Sequence, residues 1–233
     1  MKLLLIIAPP DDEISCAGTV EKLKKEKGTC KIVCFTGNPI RNSELKESCK
    51  KLGATFETFN IKENELKIKI HNCYEKLVKI IRDFKPEIII TQDPKDYHPH
   101  HRWVYNIAKE AVEFASHDKK GHTTPLFLSM ETNNLFHAPD IFVDISEEQK
   151  FRNELIKVYS SELQKEHKKN YYIEFCEAKS RLRGVQVGTE HAEAFIVNKQ
   201  PIHGNFYSKS RVTTNLKQLN TLSLNSSTIQ NKE

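Results

Sequence analysis

Two clusters of chemically active side chains each follow a short apolar run in the sequence. Asp11-Asp12-Glu13 comes soon after the run from Lys2 to Ala8, and His98-Pro99-His100-His101 lies in the loop after the run from Ile88 to Thr91. Carboxylate oxygen and imidazole nitrogen are donors that bind Zn²⁺, and a metal can lower the pKa of a bound water to near neutrality. If the clusters converge, the chemistry they suit is metal-assisted hydrolysis of an amide or ester.

Each cluster also has a purely structural interpretation. An Asp near a helix N-terminus caps the helix and complements its dipole, which accounts well for one carboxylate and adequately for two. The histidines, taken alone, could form a solvent-exposed loop. A structural role would not require both clusters at the same edge of a sheet.

The order of the predicted elements provides such an edge. Apolar runs predict strands at Lys2–Ala8, Cys30–Thr36, Ala54–Phe59 and Ile88–Thr91, and helical spacing predicts helices at Glu13–Lys27, Ser43–Leu52, Glu65–Phe84 and Arg102–Ala115. This βαβα order predicts a Rossmann-like α/β fold, with a mostly parallel sheet and helices on both faces. Ligands of such sheets bind at the carboxyl ends of the strands, where both clusters lie.

The pattern loosens after Pro125 into a small C-terminal α+β extension. It predicts strands at Leu126–Glu131 and Ile141–Ile145, a charged helix at Glu147–Lys168, a helical stretch near Tyr172–Leu182 and a hairpin through Val185–Val197. We therefore expect a single domain over residues 1–212. Residues 213–233 are polar and predict a disordered tail.

Composition excludes several classes of partner. The 36 Lys and Arg against 31 Asp and Glu give a net charge of +5, but the lysine clusters lie beside glutamates, which indicates wet helix faces and no nucleic-acid partner. The longest apolar run at the N-terminus is too short for a membrane span or a secretory signal. The six cysteines form no CxxC pair, which favours buried free thiols over a disulfide or zinc framework and predicts a cytoplasmic protein.

Several motifs resemble those of one enzyme family. Ala8-Pro9-Pro10-Asp11-Asp12-Glu13, followed by Cys16-Ala17-Gly18-Thr19, is similar to the HPDDE and GCGGT opening of the PIG-L/LmbE-like zinc-dependent N-acetylglucosaminyl deacetylases. His98-Pro99-His100-His101 is similar to their HPDH or HxxH motif. Weaker support comes from Arg41-Asn42-Ser43-Glu44, Val143-Asp144-Ile145-Ser146 with Lys150, and Gly188 to Phe195. The match extends over nearly the whole predicted domain.

The resemblance implies a catalytic or metal-binding role for four residues. Asp11 becomes the general base that deprotonates a metal-bound water, while Asp12 and His101 become ligands of Zn²⁺ or another divalent metal. His98 would stand beside the oxyanion of the tetrahedral intermediate, where a hydrogen-bond donor stabilises it.

The resemblance also implies two substrate-binding residues, each with a structural alternative. Arg41 would contact a substrate hydroxyl or anionic group; otherwise it is a helix-entry residue paired with Glu44. His191 would line the site; otherwise it is a partly buried histidine of the predicted hairpin.

Two positions depart from the family pattern. Pro9 stands where the family has its first metal-ligand histidine, and His100 stands where an Asp usually orients a neighbouring imidazole. A catalytic zinc has about three protein ligands and a water, whereas Asp12 and His101 supply two. His100 is adjacent to His101, so we expect its side chain to point elsewhere.

Two functions therefore stay open. The first is a metal-dependent hydrolase that removes an N-acetyl group from an amino sugar or small glucosamine conjugate. The second is a deacetylase-like pseudoenzyme that binds a sugar or a partner without turnover, because the first metal ligand is missing. The expected partner is a small-molecule amino sugar. A homo-oligomer is a further expectation, since relatives form hexamers and smaller rings.

Overall fold

A computed structural model describes residues 1–117, 120–165 and 171–199 of the chain. Its strands are β1 (Lys2–Ile7), β2 (Thr29–Thr36), β3 (Thr55–Ile61), β4 (Ile88–Gln92), β5 (Leu126–Met130), β6 (Ile141–Asp144) and β7 (Ala192–Val197). Its α-helices are α1 (Ala17–Lys25), α2 (Pro39–Leu52), α3 (Leu66–Lys69), α4 (Tyr74–Phe84), α5 (Pro99–Ala115), α6 (Gln149–Ile156), α7 (Ser160–Leu163) and α8 (Cys176–Val187). Short 3-10 turns occupy Asp12–Cys16, Glu63–Glu65 and Ile70–Cys73, and a π-helical turn occupies Tyr171–Phe175.

All seven strands belong to one sheet, in the order β3-β2-β1-β4-β5-β7-β6. The five strands from β3 to β5 in this order are parallel neighbours, and β7 runs antiparallel to both β5 and β6. The chain winds from β1 towards β2 and β3, then crosses to β4 on the other side of β1. The topological switch point of the sheet therefore lies between β1 and β4, and the predicted α/β fold is confirmed.

Strand β1 is apolar throughout because both faces of the sheet are covered. Leu4 and Ile6 pack in one core with residues of α4 and α5, while Leu3, Leu5 and Ile7 pack in a second core with residues of α1, α2 and α6. This burial on both faces is the usual state of a central parallel strand. It holds the end of β1 rigidly in the middle of the molecule.

Glu193 of β7 ties the C-terminal extension to the beginning of α1. Its carboxylate accepts hydrogen bonds from the Gly18 amide at 3.0 Å and from the Thr19 amide and hydroxyl at 2.8 and 2.6 Å. A carboxylate at a helix N-terminus satisfies free amides and complements the helix dipole. The motif that ends the family resemblance thus has a structural role here.

Several predicted helices differ from the observed ones. The charged helix predicted at Glu147–Lys168 is divided into α6 and α7. Helix α5 begins at Pro99, so His100 and His101 lie on a helix and not in the predicted loop. The predicted helix at Glu13–Lys27 becomes α-helical only at Ala17, because the chain first makes the 3-10 turn over Asp12–Cys16. The prediction of one helix over Glu65–Phe84 is also wrong, since a 3-10 turn at Ile70–Cys73 separates α3 from α4.

The predicted hairpin through Val185–Val197 is wrong. Helix α8 continues to Val187 and ends at Gly188, whose φ of 78° is the left-handed conformation that closes helices. The single strand β7 follows and joins the main sheet as an antiparallel neighbour of β5. The predicted domain end at residue 212 and the tail from residue 213 lie outside the described residues.

Within the described ranges, no helix is both long enough and apolar enough for a membrane crossing. All six cysteines are buried and free, as predicted from their spacing.

Helix α1 approaches the segment after β6 so closely that Gly18 has no room for a side chain. A Cβ at Gly18 would lie 2.7 to 2.9 Å from three carbons of the buried Ile145. Overpacking of this kind costs about 1–3 kcal/mol, which exceeds the 0.5–1 kcal/mol or so that Ala gains over Gly inside a helix. We therefore expect Gly18→Ala to lower the free energy of unfolding, measured by urea denaturation.

A double-mutant cycle isolates the steric cause. In an Ile145→Ala background, Gly18→Ala should cost less, because the contacts with Cγ2 and Cδ1 of Ile145 are removed and only that with Cβ is left. An equal cost in both backgrounds would contradict the close contact.

Candidate functional site

The turn after β1 is held in shape by Glu13. The backbone amide of Asp11 donates to Glu13 Oε2 at 3.1 Å, and Asp11 adopts a left-handed conformation with a φ of 107°. Glu13 is fully buried, and its Oε1 accepts hydrogen bonds from the Ser48 hydroxyl at 2.6 Å and from the Tyr159 hydroxyl. Burial raises the pKa of Glu13, which the hydrogen bonds from Ser48 and Tyr159 partly offset. Glu13 therefore positions its acidic neighbours, a role that the sequence analysis did not assign.

Asp12 and His101 come together at the switch point. Asp12 Oδ2 lies 3.2 Å from His101 Nε2, and His101 is 2% exposed. Two donors bound to one tetrahedral zinc at about 2.0–2.2 Å are roughly 3.3–3.6 Å apart, so the observed separation is close to that of two ligands of a single ion. The two residues predicted as metal ligands are thus neighbours.

Asp96 holds His101 from the opposite side. Its Oδ2 lies 2.9 Å from His101 Nδ1, an arrangement that fixes the orientation of a metal-binding imidazole. Burial disfavours the charged imidazole, but Asp12 and Asp96 outweigh it and raise the pKa of His101 to about 10. Burial likewise opposes the charge on Asp96, yet the bond with His101 lowers its pKa to about 2. Asp96 therefore supplies a carboxylate partner to an imidazole, as the Asp missing at position 100 was expected to do.

Both carboxylate oxygens of Asp11 are already engaged. Oδ1 pairs with Arg41 Nη2 at 2.7 Å, and Oδ2 accepts a hydrogen bond from the Tyr172 hydroxyl at 2.6 Å. Burial raises the pKa of Asp11 well above its ordinary value, although Arg41 acts in the opposite direction. Tyr172, from the π-helical turn, was not singled out by the sequence because its side chain comes from a distant stretch of chain.

Arg41 lies under the site as a buried ion-pair partner. Besides Asp11, its guanidinium contacts Glu162 Oε1 at 2.9 Å and donates to the carbonyl of Pro10. Glu44, its alternative partner in the sequence analysis, instead accepts bonds from the Ser161 amide and hydroxyl at 2.8 and 2.7 Å. The predicted substrate contact of Arg41 stays a prediction, and its observed role is to neutralise Asp11.

His98 and His100 stack beside His101. The His98 ring centroid lies 4.8 Å from that of His101 and 4.6 Å from that of His100, which also packs on Trp103 at 5.5 Å. Burial together with the neighbouring imidazoles lowers the pKa of His98. His98 packs against His101, and His100 packs between His98 and Trp103.

His191 is placed among residues of the C-terminal extension. Its Nδ1 lies 3.1 Å from the Ser180 hydroxyl and its Nε2 lies 3.6 Å from Glu177 Oε1, both on α8. These contacts match its structural alternative as a partly buried polar histidine. Its predicted place in the lining of the site stays a prediction.

The donor set fits a divalent cation in part. Asp12 and His101 have the chemistry and separation of two ligands of one ion, and Asp96 orients the imidazole. Within residues 1–117, 120–165 and 171–199, however, no three His, Cys, Asp or Glu side chains form a ligand group. The side chain of Pro9 has no donor atom that could complete the set of ligands.

Residues 4–112 match the family model described as PIG-L: GlcNAc-PI de-N-acetylase. The PIG-L match lies in the first half of the chain. The matched residues include the turn after β1 and the histidines at the start of α5, so both clusters of the site are inside the family match. The activity that names the family is the removal of an N-acetyl group, which is a hydrolysis.

The chain is similar in fold to solved structures whose stated activities differ. The chain is similar to the conserved protein TT1542 from Thermus thermophilus, with 23% identity, a TM-score of 0.75 and coverage of 89% of this chain and 99% of that one. It is similar to N,N'-diacetylchitobiose deacetylase from Pyrococcus horikoshii, with 23% identity, a TM-score of 0.74 and coverage of 84% and 83%. It is also similar to GalB, the 4-carboxy-2-hydroxymuconate hydratase from Pseudomonas putida, with 18% identity, a TM-score of 0.72 and coverage of 88% and 99%. At these identities the likeness shows the shared α/β fold alone.

Replacing Glu13 should weaken both the fold and the site. Glu13→Ala leaves the Ser48 and Tyr159 hydroxyls and the Asp11 amide without their buried partner, and hydrogen bonds to a charged group are worth about 1.5–3 kcal/mol each. We expect the free energy of unfolding, measured by urea denaturation, to fall by at least about 2 kcal/mol.

Glu47→Ala, on the exposed face of α2, is the matched control and should change stability by no more than about 0.5 kcal/mol. Equal effects of the two substitutions would show that Glu13 does not hold the turn.

Proposed function

We propose that this chain removes an N-acetyl group from an amino sugar or a small glucosamine conjugate, with the help of a divalent cation. The observation that carries the proposal is the 3.2 Å separation of Asp12 Oδ2 and His101 Nε2, brought together from the ends of neighbouring strands. The family match over both clusters supports the reaction class. Zn²⁺ is the expected ion, because carboxylate and imidazole are among its preferred ligands.

Asp12 and His101 would hold the cation, with Asp96 fixing the imidazole from behind. A divalent cation at this place would act as a Lewis acid that polarises the acetyl carbonyl and lowers the pKa of water. Asp12 and His101 would use their donor atoms to bind the cation. Asp11, one residue before Asp12, would be left to accept the proton.

The remaining chemistry falls to Asp11 and His98. Asp11 accepts a proton as the water oxygen bonds to the acetyl carbon, and His98 donates a hydrogen bond to the resulting oxyanion. Collapse of the tetrahedral intermediate breaks the carbon–nitrogen bond, and the proton held by Asp11 passes to the leaving nitrogen. The products are acetate and the free amine.

Asp11 has to exchange a partner before it can act. Its Oδ1 forms an ion pair with Arg41 and its Oδ2 accepts a hydrogen bond from Tyr172, so an incoming water must displace one of them. The Tyr172 hydroxyl is neutral and the Arg41 guanidinium is charged and held also by Glu162, so Tyr172 is the partner that yields more easily.

The names of similar proteins support an amino-sugar substrate. One solved structure of similar fold is a deacetylase of N,N'-diacetylchitobiose, and others are teicoplanin deacetylases. One solved structure of similar fold is a hydratase, so the fold alone does not determine the reaction. The site and the family match support the proposal. Arg41 and His191 stay proposed substrate contacts. The buried free thiols support the expected cytoplasmic location, and a homo-oligomer stays a prediction.

A second function, that of a sugar-binding pseudoenzyme, is favoured by one observation. Pro9 offers no ligand at the place of the family's first histidine, and no third acidic, histidine or cysteine ligand replaces it among the described residues. A site of two ligands would bind a cation weakly. Such a protein would retain the cleft and lose turnover.

Asp11→Asn tests the assignment of the base. The amide cannot accept the proton, so deacetylation of a test N-acetylglucosaminide should fall by about 10²- to 10⁴-fold, while the metal content measured by elemental analysis stays near that of the wild type. Asp83→Asn, on the exposed side of α4, should behave as the wild type in both assays. A wild-type rate for Asp11→Asn would remove Asp11 from this role.

Pro9→His tests the missing ligand and separates the two functions. The new imidazole should raise zinc affinity, measured by competition with a chelating dye, and should raise turnover of an N-acetylglucosaminide. An inactive wild type that gains turnover in this variant favours the pseudoenzyme. Unchanged affinity and turnover would mean that position 9 does not face the cation site.

A further inference from the structure

Gln92 reaches into the cation site from the end of β4. It is fully buried, and its Nε2 lies 2.5 Å from Asp12 Oδ2 and 2.7 Å from the carbonyl oxygen of Ala8. The Asp12 oxygen that it contacts is the same one that faces His101. The end of the Gln92 side chain therefore lies at least as close to Asp12 Oδ2 as His101 Nε2 does.

Gln92 takes this place because of the strand register. Ile6 of β1 pairs with Thr91 of β4, so the last residue of β4 lies beside the last residue of β1. The segment that carries Pro9 begins directly beyond that point. Gln92 consequently faces the part of the turn where the family's first histidine would stand.

The amide of Gln92 is only half satisfied. Nε2 donates to two acceptors, whereas Oε1 is buried and has no hydrogen-bond partner within the described residues. The two ends of a glutamine amide have nearly the same shape, and a half turn about the last side-chain torsion exchanges them. After that exchange Oε1 occupies the position beside Asp12 Oδ2.

The acceptors around this point suit a cation. Asp12 Oδ2 and the Ala8 carbonyl oxygen each accept a hydrogen bond from the side-chain amide of Gln92. A bound cation would take over the role of these hydrogens and would draw the amide oxygen towards itself. Carbonyl-type oxygens are ordinary ligands of divalent ions.

The geometry assigns Gln92 as the third protein ligand of the cation, in place of the histidine that Pro9 has replaced. The inference rests on the proposed function, because it assumes the cation held by Asp12 and His101. The ligand set becomes one carboxylate oxygen, one amide oxygen and one imidazole nitrogen. Since oxygen donors favour harder ions, this set binds Mn²⁺ better, relative to Zn²⁺, than a set with two imidazoles would.

Metal titration of the full chain tests the assignment. We use Zn²⁺, Mn²⁺ and Co²⁺ as probes, with dye competition for affinity and the visible absorption of bound Co²⁺ for the coordination. Gln92→Leu should weaken affinity by about 100-fold or more and change the Co²⁺ spectrum, because a ligand is lost. Gln92→Glu should keep or raise affinity, because a carboxylate presents an oxygen in either orientation.

Thr91→Val is the matched control. It removes a buried hydrogen bond of the same strand, from Thr91 Oγ1 to the carbonyl of Ile6 at 2.9 Å, without touching Asp12. Its affinity and Co²⁺ spectrum should equal those of the wild type. Urea denaturation of each variant shows that the folded form is being titrated, and Gln92→Glu gives the result if Gln92→Leu does not fold.

The outcomes separate this inference from the proposed function. Wild-type affinity and an unchanged Co²⁺ spectrum in Gln92→Leu, with deacetylation retained, would overturn the assignment of Gln92 and leave the deacetylase standing. Loss of affinity in Gln92→Glu as well as in Gln92→Leu would also overturn it, since the role would then be that of a donor to Asp12. A wild type that binds no cation and turns over no substrate would overturn both.

Discussion

The parallel pairing of β1 with β4 is the constraint on which the site depends. The chain leaves both strands at the same edge of the sheet, so the acidic turn after β1 and the histidines at the start of α5 meet although they are distant in sequence. The pairing is secured by the strand register, by the hydrogen bond from the Thr91 hydroxyl to the Ile6 carbonyl and by burial of β1 on both faces. A change in the apolar cores would therefore alter the distance between Asp12 and His101 at the proposed cation site.

Buried charge organises the rest of this edge. Glu13, Glu131 and Glu193 are all nearly inaccessible to solvent, and each is held by donors from another element. Glu131 pairs with Arg183 of α8, and Glu193 caps α1. A buried carboxylate without partners would cost several kcal/mol, so each of these contacts fixes how the C-terminal extension joins the sheet. The extension is thus positioned by specific polar pairs as well as by apolar packing.

The strands and the meeting of Asp12 with His101 could be predicted from the sequence, because apolar runs and the order of elements determine which strand ends share an edge. The contacts of Glu13, Asp96 and Gln92 could not be predicted, because they depend on the direction of side chains in turns and at the end of a strand. The sequence pattern also failed to predict the break between α3 and α4 and the continuation of α8 through Val185. Local spacing is compatible with more than one backbone, and tertiary packing together with Gly188 decides between them.

The contact between Tyr172 and Asp11 joins residues 161 positions apart. The proposed ligands Asp12 and His101 and the proposed base Asp11 belong to the stretch that matches the family, residues 4–112, whereas Tyr172 lies well beyond it. Two proteins with the same first half can therefore differ in how readily water reaches the acid. A substitution in the turn that carries Tyr172 therefore changes the environment of Asp11 and leaves the proposed metal ligands unchanged.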